Sequence, residues 1–228
     1  MLKDPYNRFT KHFSEQLVVC KKHTYLEVIV KRLIDIIGSL VGCLLLLIAL
    51  IFLAPFYWFS SKADRGPIFY TQTRYGQHGR RFKILKFRTM IVDSQTYFVK
   101  NPDVYAAYLA NGNKLENDPR VTKIGKFIRS KSLDELPQFI NVLKGDMSLV
   151  GPRPILKFEI KEYGDRIKYL WYTKPGITGH WTTNGRSKVV FPERATLELV
   201  YNHKHGFLYD IKCLFKTVWL VLRKSDAY

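Results

Sequence analysis

Two adjacent carboxylates, Asp134 and Glu135, are the side chains whose types and spacing could support nucleophilic or metal chemistry. Ser132 lies three residues before Glu135, which is the spacing of a capping box at the start of a helix. We predict that this helix runs to about Lys144 and ends at Gly145. Taken alone, the pattern favours structural roles for both acids, as a cap and as a first-turn residue. The same position suits catalysis, because a helix N-terminus stabilises the ionised carboxylate that a nucleophile requires.

Basic side chains in the surrounding sequence could bind phosphate. Arg129 precedes Asp134 closely and can attract phosphate oxygens. Arg153 stands between two prolines whose fixed φ angles would present it rigidly, and arginine suits bidentate contact with phosphate. Arg186 follows an Asn-Gly turn and is a candidate for contact with a phosphate or a nucleobase. Because Mg²⁺ takes a few carboxylate oxygens together with substrate phosphates, Asp134 and Glu135 are also candidate metal ligands.

The composition of the chain indicates an anionic partner. Its 228 residues are enough for one domain with a hydrophobic core. The net charge of +18, from 37 Lys and Arg against 19 Asp and Glu, causes self-repulsion that an anionic partner would relieve. Nucleic acid, an anionic membrane face and phosphorylated substrates all satisfy this condition, and charge alone does not choose among them. Three distant cysteines without CxxC spacing argue against a disulfide framework and a zinc site.

A segment without charged side chains, residues 36–59, is long enough to cross a hydrocarbon layer of about 30 Å. It lacks the polar face of a helix in a soluble protein and the cleavage site of a signal peptide. Lysine and arginine flank it on both sides, whereas a straight span would export one of these basic flanks. We therefore predict a re-entrant membrane helix over residues 31–62, with Pro55 disfavouring a straight helix.

The rest of the chain predicts a helix-rich α+β fold, with a small basic β-hairpin and amphipathic helices around a cytosolic catalytic core. The second strand of the hairpin, residues 81–88, alternates basic with apolar side chains and predicts one cationic face that includes Lys86 and Arg88. This face could bind phosphates or acidic headgroups, although a solvated surface is the simpler interpretation.

Three further segments have a helical pattern. Residues 94–118 predict a helix-containing loop bounded by turns. Residues 156–171 and 207–223 each place apolar side chains on one stripe among charges. Such helices are either core-facing or interfacial, and the sequence leaves both interpretations open.

Ordered blocks of sequence extend from residue 31 to the C-terminus. They are residues 31–35, 66–67, Gln72, Arg74, 82–83, 86–90, 117–120, 132–138, 141–154 and 174–179. Together they resemble the bacterial sugar transferase family, the monotopic phosphoglycosyl transferases, and within it the undecaprenyl-phosphate galactose or glucose phosphotransferases. Two positions differ from the family pattern. The helix-breaking proline, Pro55, lies late in the apolar run, and residues 181–186 read WTTNGR where the family commonly has WQVNGR.

The resemblance implies a mechanism and a set of site residues. Asp134 matches the family's nucleophile, which attacks the β-phosphorus of a UDP-sugar, releases UMP and forms a phosphosugar–aspartate intermediate. Polyprenyl phosphate then attacks this intermediate and gives a polyprenyl diphosphosugar. Glu135 matches the second acid of the pair, with a metal or proton-handling role, and Mg²⁺ is the implied cofactor. Lys86, Arg129 and Arg153 match basic residues near the phosphates, and dense positive charge suits phosphoryl transfer.

The resemblance also implies a location and partners. The family acts at the cytoplasmic face of the bacterial inner membrane, in the first membrane step of exopolysaccharide, capsule or O-antigen synthesis. Expected partners are a UDP-sugar, polyprenyl phosphate and membrane lipids, but not nucleic acid, for which no binding motif is present. The sequence leaves open the identity of the sugar and the formation of a homodimer. The main alternative is a membrane-anchored protein that binds anionic ligands without catalysis.

The expected organisation has three parts. A polar and basic segment covers residues 1–30, the re-entrant helix covers residues 31–62, and a cytosolic membrane-associated catalytic domain covers residues 63–228. Many relatives carry an N-terminal multi-span region. Residues 1–30 are too short and polar for one, so we expect a catalytic unit on its own.

Overall fold

The computed structural model describes residues 24–59, 66–111, 115–185 and 189–223. Its longest element is helix α1, Tyr25–Trp58. Thr24 and Glu27 form a capping box at its start, in which each side chain accepts a hydrogen bond from the other residue's backbone N–H, at 3.2 and 2.9 Å. With 34 residues α1 is about 50 Å long, which exceeds the thickness of a hydrocarbon layer of about 30 Å.

One face of α1 packs on the rest of the protein. The buried residues on this face recur every three, four or seven positions and are Asp35, Ser39, Gly42, Leu46, Leu53 and Tyr57. The remaining surface of α1 exposes large apolar side chains, including Ile37, Leu40, Val41, Leu44, Leu45, Leu47, Ile48, Ile51 and Phe52. A helix on the surface of a soluble protein has a polar outer face, so the outer face of α1 is suited to lipid.

Strands β1, Phe69–Tyr75, and β2, Arg81–Phe87, form an antiparallel hairpin in which Tyr70 pairs with Lys86. The prediction of a single cationic face was wrong. Arg81 and Lys83 are exposed, whereas Lys86 is half-buried on the side of the hairpin that contains the buried Ile84. Two consecutive apolar residues, Ile84 and Leu85, shift the basic–apolar alternation and turn Lys86 toward the protein body.

Short helices follow the hairpin. The predicted helix-containing loop is confirmed by α2, Ser94–Lys100, and α3, Pro102–Ala110. Thr122 caps the next helix, α4, Lys123–Ser130, by accepting a hydrogen bond from the Gly125 N–H at 2.9 Å. Helix α5, Gln138–Lys144, packs against α1.

The C-terminal half combines a parallel strand pair with helices. Strand β3, Ser148–Val150, pairs with β4, Gly176–Thr178, and between them lie a 3₁₀ helix, Lys157–Arg166, and α6, Ile167–Leu170. The helices that follow are α7, His180–Asn184, α8, Glu193–Lys204, and α9, Phe207–Leu222. The described residues therefore form the predicted helix-rich α+β fold with a long apolar N-terminal helix and small sheets.

The two predicted amphipathic segments differ in their environments. In the first, a 3₁₀ helix and short α6 replace the predicted helix, and Gly164 with φ 51° interrupts it. Its apolar residues Tyr163 and Leu170 are buried in a cluster with Leu199, so this stripe faces the core. In the second, α9 exposes Leu208, Phe215 and Leu222 among other apolar residues.

Polar contacts join both ends of α1 to the same protein body. Near its start, Lys31 Nζ lies 2.6 Å from a carboxylate oxygen of Asp210 in α9. Arg32 donates hydrogen bonds at 2.8 Å to two backbone carbonyls at the end of α5. Near the end of α1, the Tyr57 hydroxyl donates to the Arg88 carbonyl. The apolar helix is thus attached along its length and at both ends.

Candidate active site

The predicted carboxylate pair lies against Lys86. Lys86 Nζ is 3.3 Å from Asp134 Oδ2 and 3.1 Å from Glu135 Oε1. The three side chains come from two elements, β2 and the segment before α5. One ammonium group between two carboxylates offsets their mutual repulsion, so both acids can be held at one site.

Asp134 and Glu135 lie in a 3₁₀ turn, Leu133–Glu135, and the predicted capping box is wrong. Ser132 adopts the left-handed conformation, with φ 54° and ψ 23°, and its side chain makes no capping hydrogen bond. An N-cap residue has an extended backbone, so this geometry cannot form the box. The helix that follows starts at Gln138 and ends as predicted, with Gly145 at φ 85°.

Apolar residues on each side of the acids fix this turn. Leu133 and Leu136 pack into a cluster with Phe87, Ile128 and residues of α1. Because the leucines before and after the pair both face this cluster, the two carboxylates are directed toward Lys86. The segment thus follows tertiary packing rather than the local capping pattern.

Burial and the neighbouring cations act differently on the two acids. Burial raises the pKa of Asp134 above its ordinary value, against the opposing effect of Lys86. Burial would also raise the pKa of Glu135, but Lys86 and Arg153 outweigh it and lower that pKa. The prediction that Asp134 lies in the first turn of the following helix is wrong, because that helix starts at Gln138; Lys86 is the main group that opposes the effect of burial on Asp134.

Three of the predicted phosphate-binding residues lie near the pair. Besides Lys86, Arg153 has Nη1 4.0 Å from Glu135 Oε1. Arg129 donates from Nε to Thr89 Oγ1 at 2.9 Å, and its charge acts to lower the pKa of Asp134. The site thus combines two acids with three cations.

Of the other two predicted phosphate-binding residues, Arg88 is not part of this group. The Arg88 guanidinium lies against Gly66, where it would clash with an added Cβ. Within the described ranges, no hydrogen bond or ion pair joins Arg88 to Asp134 or Glu135. Arg186 lies outside the described residues.

A small cleft lies beside the pair, and two of its polar residues, Arg74 and Gln138, were not predicted. Its lining consists of Arg74, Ile84, Lys86, Glu135, Gln138, Arg153, Pro154, Gly176 and Ile177. Gln138 lies next to Glu135 and contributes to its lowered pKa. Gln72 and Arg74 lie two residues apart on β1, so their side chains are on the same face of the hairpin, next to the basic strand β2. In the sequence, this spacing was the signal that could have identified Arg74.

Buried polar groups hold the backbone on both sides of the Arg153 side chain. Glu198 Oε2 accepts a hydrogen bond from the Arg153 N–H at 2.8 Å, and Arg74 Nη1 donates to the Pro154 carbonyl at 3.2 Å. Arg194 Nε lies 3.6 Å from Glu198 Oε1. Two prolines and these contacts together restrict the loop that presents Arg153.

The donor set of the pair fits a magnesium ion. Asp134 and Glu135 offer carboxylate oxygens, which Mg²⁺ takes together with water and substrate phosphates. Among the described residues, no group of three or more His, Cys, Asp and Glu side chains forms a metal site. With two carboxylates as protein ligands, a bound Mg²⁺ would take its remaining oxygens from water and a substrate.

Comparison with known proteins identifies the family. The sequence profile of the bacterial sugar transferases matches residues 26–224. The chain belongs to this family. Within the described residues of this bacterial sugar transferase, α1 alone is long and apolar enough to cross a membrane, by length and composition. This helix and the family match together indicate membrane association.

Several curated relatives are similar to this sugar transferase. It is 42% identical over 201 residues to the undecaprenyl-phosphate galactose phosphotransferase of Salmonella typhimurium, covering 87% of the chain and 41% of that protein. It is 36% identical over 202 residues to the exopolysaccharide production protein ExoY of Rhizobium meliloti, covering 87% and 88%. It is 40% identical over 171 residues to the UDP-glucose:undecaprenyl-phosphate glucose-1-phosphate transferase of Escherichia coli, covering 72% and 34%. The chain thus spans about two fifths of the Salmonella protein.

Proposed function

We propose that this protein is a phosphoglycosyl transferase that moves a hexose 1-phosphate from a UDP-sugar to undecaprenyl phosphate. The observation that carries the proposal is the position of Lys86 between Asp134 and Glu135, with Arg153 beside them in a cleft. The names of the relatives support the same substrate classes, because two of them are described as undecaprenyl-phosphate sugar phosphotransferases. The name of ExoY supports a role in exopolysaccharide production.

The proposed reaction consists of two displacements at one phosphorus atom. In the first, a carboxylate oxygen of Asp134 bonds to the β-phosphorus of the UDP-sugar. The bond between that phosphorus and the bridging oxygen breaks, and UMP leaves with the oxygen and its electron pair. In the second, a phosphate oxygen of undecaprenyl phosphate bonds to the same phosphorus and releases Asp134. The products are undecaprenyl diphosphosugar and UMP, and covalent catalysis divides one transfer into two easier steps.

The cations around the pair suit this chemistry. Lys86 keeps Asp134 and Glu135 close to each other. During attack, negative charge moves from the Asp134 carboxylate to the phosphate oxygens, and the Lys86 ammonium can stabilise it there. Arg153 and Arg129 neutralise phosphate oxygens, which lowers the repulsion between an anionic nucleophile and an anionic substrate. Mg²⁺, held by Glu135 and Asp134 when bound, supplies further positive charge to the diphosphate.

The contacts of α1 support a re-entrant, monotopic arrangement at the cytoplasmic face of the bacterial inner membrane. Lys31 near the start of α1 and Tyr57 near its end both bind the same body. In a straight span the two ends of α1 lie on opposite sides of the bilayer. Both contacts could then form only if part of the strongly basic body crossed the membrane, and moving charged side chains into a bilayer is energetically costly. The exposed apolar side chains of α9 suit an interfacial position beside α1. In the proposed arrangement the site lies at the level where a lipid phosphate is presented.

The test is UMP release from a panel of UDP-sugars with galactose, glucose or N-acetylated hexoses. With Mg²⁺ and undecaprenyl phosphate we expect turnover with at least one sugar. Without the acceptor we expect a burst of one UMP per enzyme molecule and a phosphosugar adduct on Asp134, detected by mass spectrometry.

Two variants serve as the comparison for this test. Asp134→Asn should remove both the burst and the adduct, whereas Asp103→Asn, an exposed acid in α3, should behave as wild type. Full activity of Asp134→Asn would exclude the proposed nucleophile. Binding of a UDP-sugar by the wild type without any UMP release would favour an anion-binding protein without catalysis.

A further inference from the structure

Arg74 is a buried cation, and the residues that the structure describes neutralise its charge only weakly. Its residue surface is 8% exposed. Its carboxylate partner Glu159 lies 3.7 Å from Nη1, but Glu159 is closer to Arg194, at 3.1 Å. The two Nη groups donate to the Pro154 carbonyl and the Gln72 amide oxygen at 3.2 and 2.8 Å. The Nε atom is buried and has no hydrogen-bond partner among the described residues.

The surroundings of Arg74 disfavour its charge. Burial, together with the like charges of Arg153 and Arg194, lowers the pKa of Arg74 to about 10, although Glu159 opposes this shift. A guanidinium remains charged at neutral pH under these conditions. A buried charge with a donor left unpaired is unfavourable in the free protein, and an anion that enters its site relieves the cost.

The cleft provides access for such an anion. Arg74 lines it together with Lys86, Arg153 and Gln138. Lys86 and Arg153 both interact with the Glu135 carboxylate. Arg74 instead has no ion pair with either acid of the catalytic pair within the described ranges. Glu159, the carboxylate that lies 3.7 Å from Arg74, is not among the residues that line the cleft, so Arg74 brings positive charge to the cleft.

We propose that the guanidinium of Arg74, which lines the cleft, binds a phosphate of the nucleoside diphosphate donor. This inference rests on the proposed function and adds a binding residue to it. The cleft is lined by Glu135 but not by Asp134 among the described residues. Because the reacting β-phosphorus must lie at Asp134, the phosphate in contact with Arg74 is the non-reacting α-phosphate. That phosphate leaves as part of UMP, so Arg74 also binds the product.

Equilibrium binding to the full-length protein in detergent tests this assignment. The probes are UMP, UDP and uridine, and the variants are Arg74→Gln and Arg74→Lys. A matched control is Arg81→Gln, which removes one positive charge from the exposed side of the same hairpin. We expect Arg74→Gln to weaken binding of UMP and UDP at least tenfold, and Arg74→Lys to restore part of it. Uridine should bind all variants equally, and Arg81→Gln should bind both nucleotides within twofold of wild type.

Thermal unfolding of the ligand-free variants distinguishes two roles of Arg74, binding of a phosphate and support of the Pro154 loop. Both Arg74 variants lose the hydrogen bonds of the guanidinium to the Pro154 carbonyl and Gln72, so we expect them to have similar Tm values although they differ in nucleotide binding. Nucleotide binding within twofold of wild type would overturn the inference. Equal loss of binding in the Gln and Lys variants with a lowered Tm would also overturn it, since Arg74 would then only support the Pro154 loop. If wild type binds UMP through Arg74 but releases none from UDP-sugars, the proposed function fails and the phosphate site stands.

Discussion

The ring of Phe139 in α5 lies so close to Gly42 in α1 that a Cβ at Gly42 would clash with it. Phe139 follows the carboxylate pair by four residues, counting from Glu135. The close contact therefore connects the apolar helix directly to the helix that follows the catalytic turn. One turn earlier in α1, Gly38 meets only the flexible tip of the Leu149 side chain.

Gly42→Ala should destabilise the protein, whereas Gly38→Ala should not. An overpacked contact of this type costs about 1–3 kcal/mol, which exceeds the gain of about 1 kcal/mol from replacing glycine in a helix. At Gly38 the tip of Leu149 can move aside, so the helix gain remains and the Tm is unchanged or higher. Thermal unfolding in detergent measures both variants. Equal Tm values for the two would show that α1 and α5 do not pack as described.

Lys86→Gln should shift the acid limb of the pH–rate profile to higher pH. The reaction requires ionised Asp134, so kcat/KM for the UDP-sugar falls as pH decreases through the pKa of Asp134 in the free enzyme. Burial raises that pKa above the ordinary 3.8, and Lys86 opposes the increase. Removal of the Lys86 charge therefore raises the pKa further and narrows the active pH range.

Lys83→Gln is the matched control for this profile, because Lys83 lies on the same strand but is exposed. It removes the same charge and should leave the acid limb unchanged. A rate that falls equally at every pH in Lys86→Gln would show that Lys86 does not control the ionisation of Asp134.

Local pattern in the sequence was sufficient for some elements of the fold. The uncharged run predicted α1, and Gly145 predicted the end of α5, because a left-handed residue after a helix is most often glycine. The capping box failed because Ser132 itself is left-handed, a conformation that non-glycine residues seldom adopt. Leu133 and Leu136 pack on the apolar cluster that contains Phe87, and this packing imposes the turn. Contacts between residues far apart in sequence cannot be recognised from a local pattern.

The candidate site shows the same division. The carboxylate pair is adjacent in sequence and was therefore found directly. Arg74 enters the cleft through contacts with residues about 80 positions later, such as Pro154. The spacing of Gln72 and Arg74 on β1 indicates that both side chains lie on one face, but the proximity of Arg74 to Pro154 required the folded structure.

Glu198→Ala should destabilise the protein more than Glu198→Gln. Glu198 is fully buried, accepts the Arg153 N–H and lies near Arg194. Alanine leaves the Arg153 N–H without its acceptor and removes a carboxylate that lies 3.6 Å from Arg194 Nε, and removal of one partner of a buried ion pair costs about 3–5 kcal/mol. Glutamine still accepts the N–H hydrogen bond, so it should lose less. Tm values measure stability, and a raised KM for the UDP-sugar would report displacement of Arg153.

Glu193→Gln provides the control for these two variants, since Glu193 is an exposed acid in the same helix. It should leave both Tm and KM within error of wild type. If the alanine and glutamine variants of Glu198 are equally stable, the hydrogen bond to Arg153 does not hold the loop.

Removal of divalent metal should stop UMP release, and Glu135→Gln should raise the Mg²⁺ concentration needed for half-maximal activity. The variant keeps one oxygen donor but loses the charge that attracts the ion, so we expect an increase of about tenfold, as for other changes at a metal site. Activity after EDTA treatment should return on addition of Mg²⁺ but not Na⁺. Full activity in EDTA would exclude a metal in the reaction, and an unchanged Mg²⁺ requirement in Glu135→Gln would exclude Glu135 as its ligand.

Labelling of single cysteines should place both flanks of α1 on one side of the membrane. The native cysteines are replaced by serine, and Lys22→Cys, Lys62→Cys and Lys157→Cys are tested separately in vesicles of each orientation. Lys157 is an exposed residue of the catalytic body and marks its side. Because α1 contacts this body through Lys31 and Tyr57, an impermeant maleimide should label all three sites in inside-out vesicles and none in right-side-out vesicles. A straight span would separate Lys22 from Lys62, and labelling of these two sites in opposite vesicles would exclude the re-entrant arrangement.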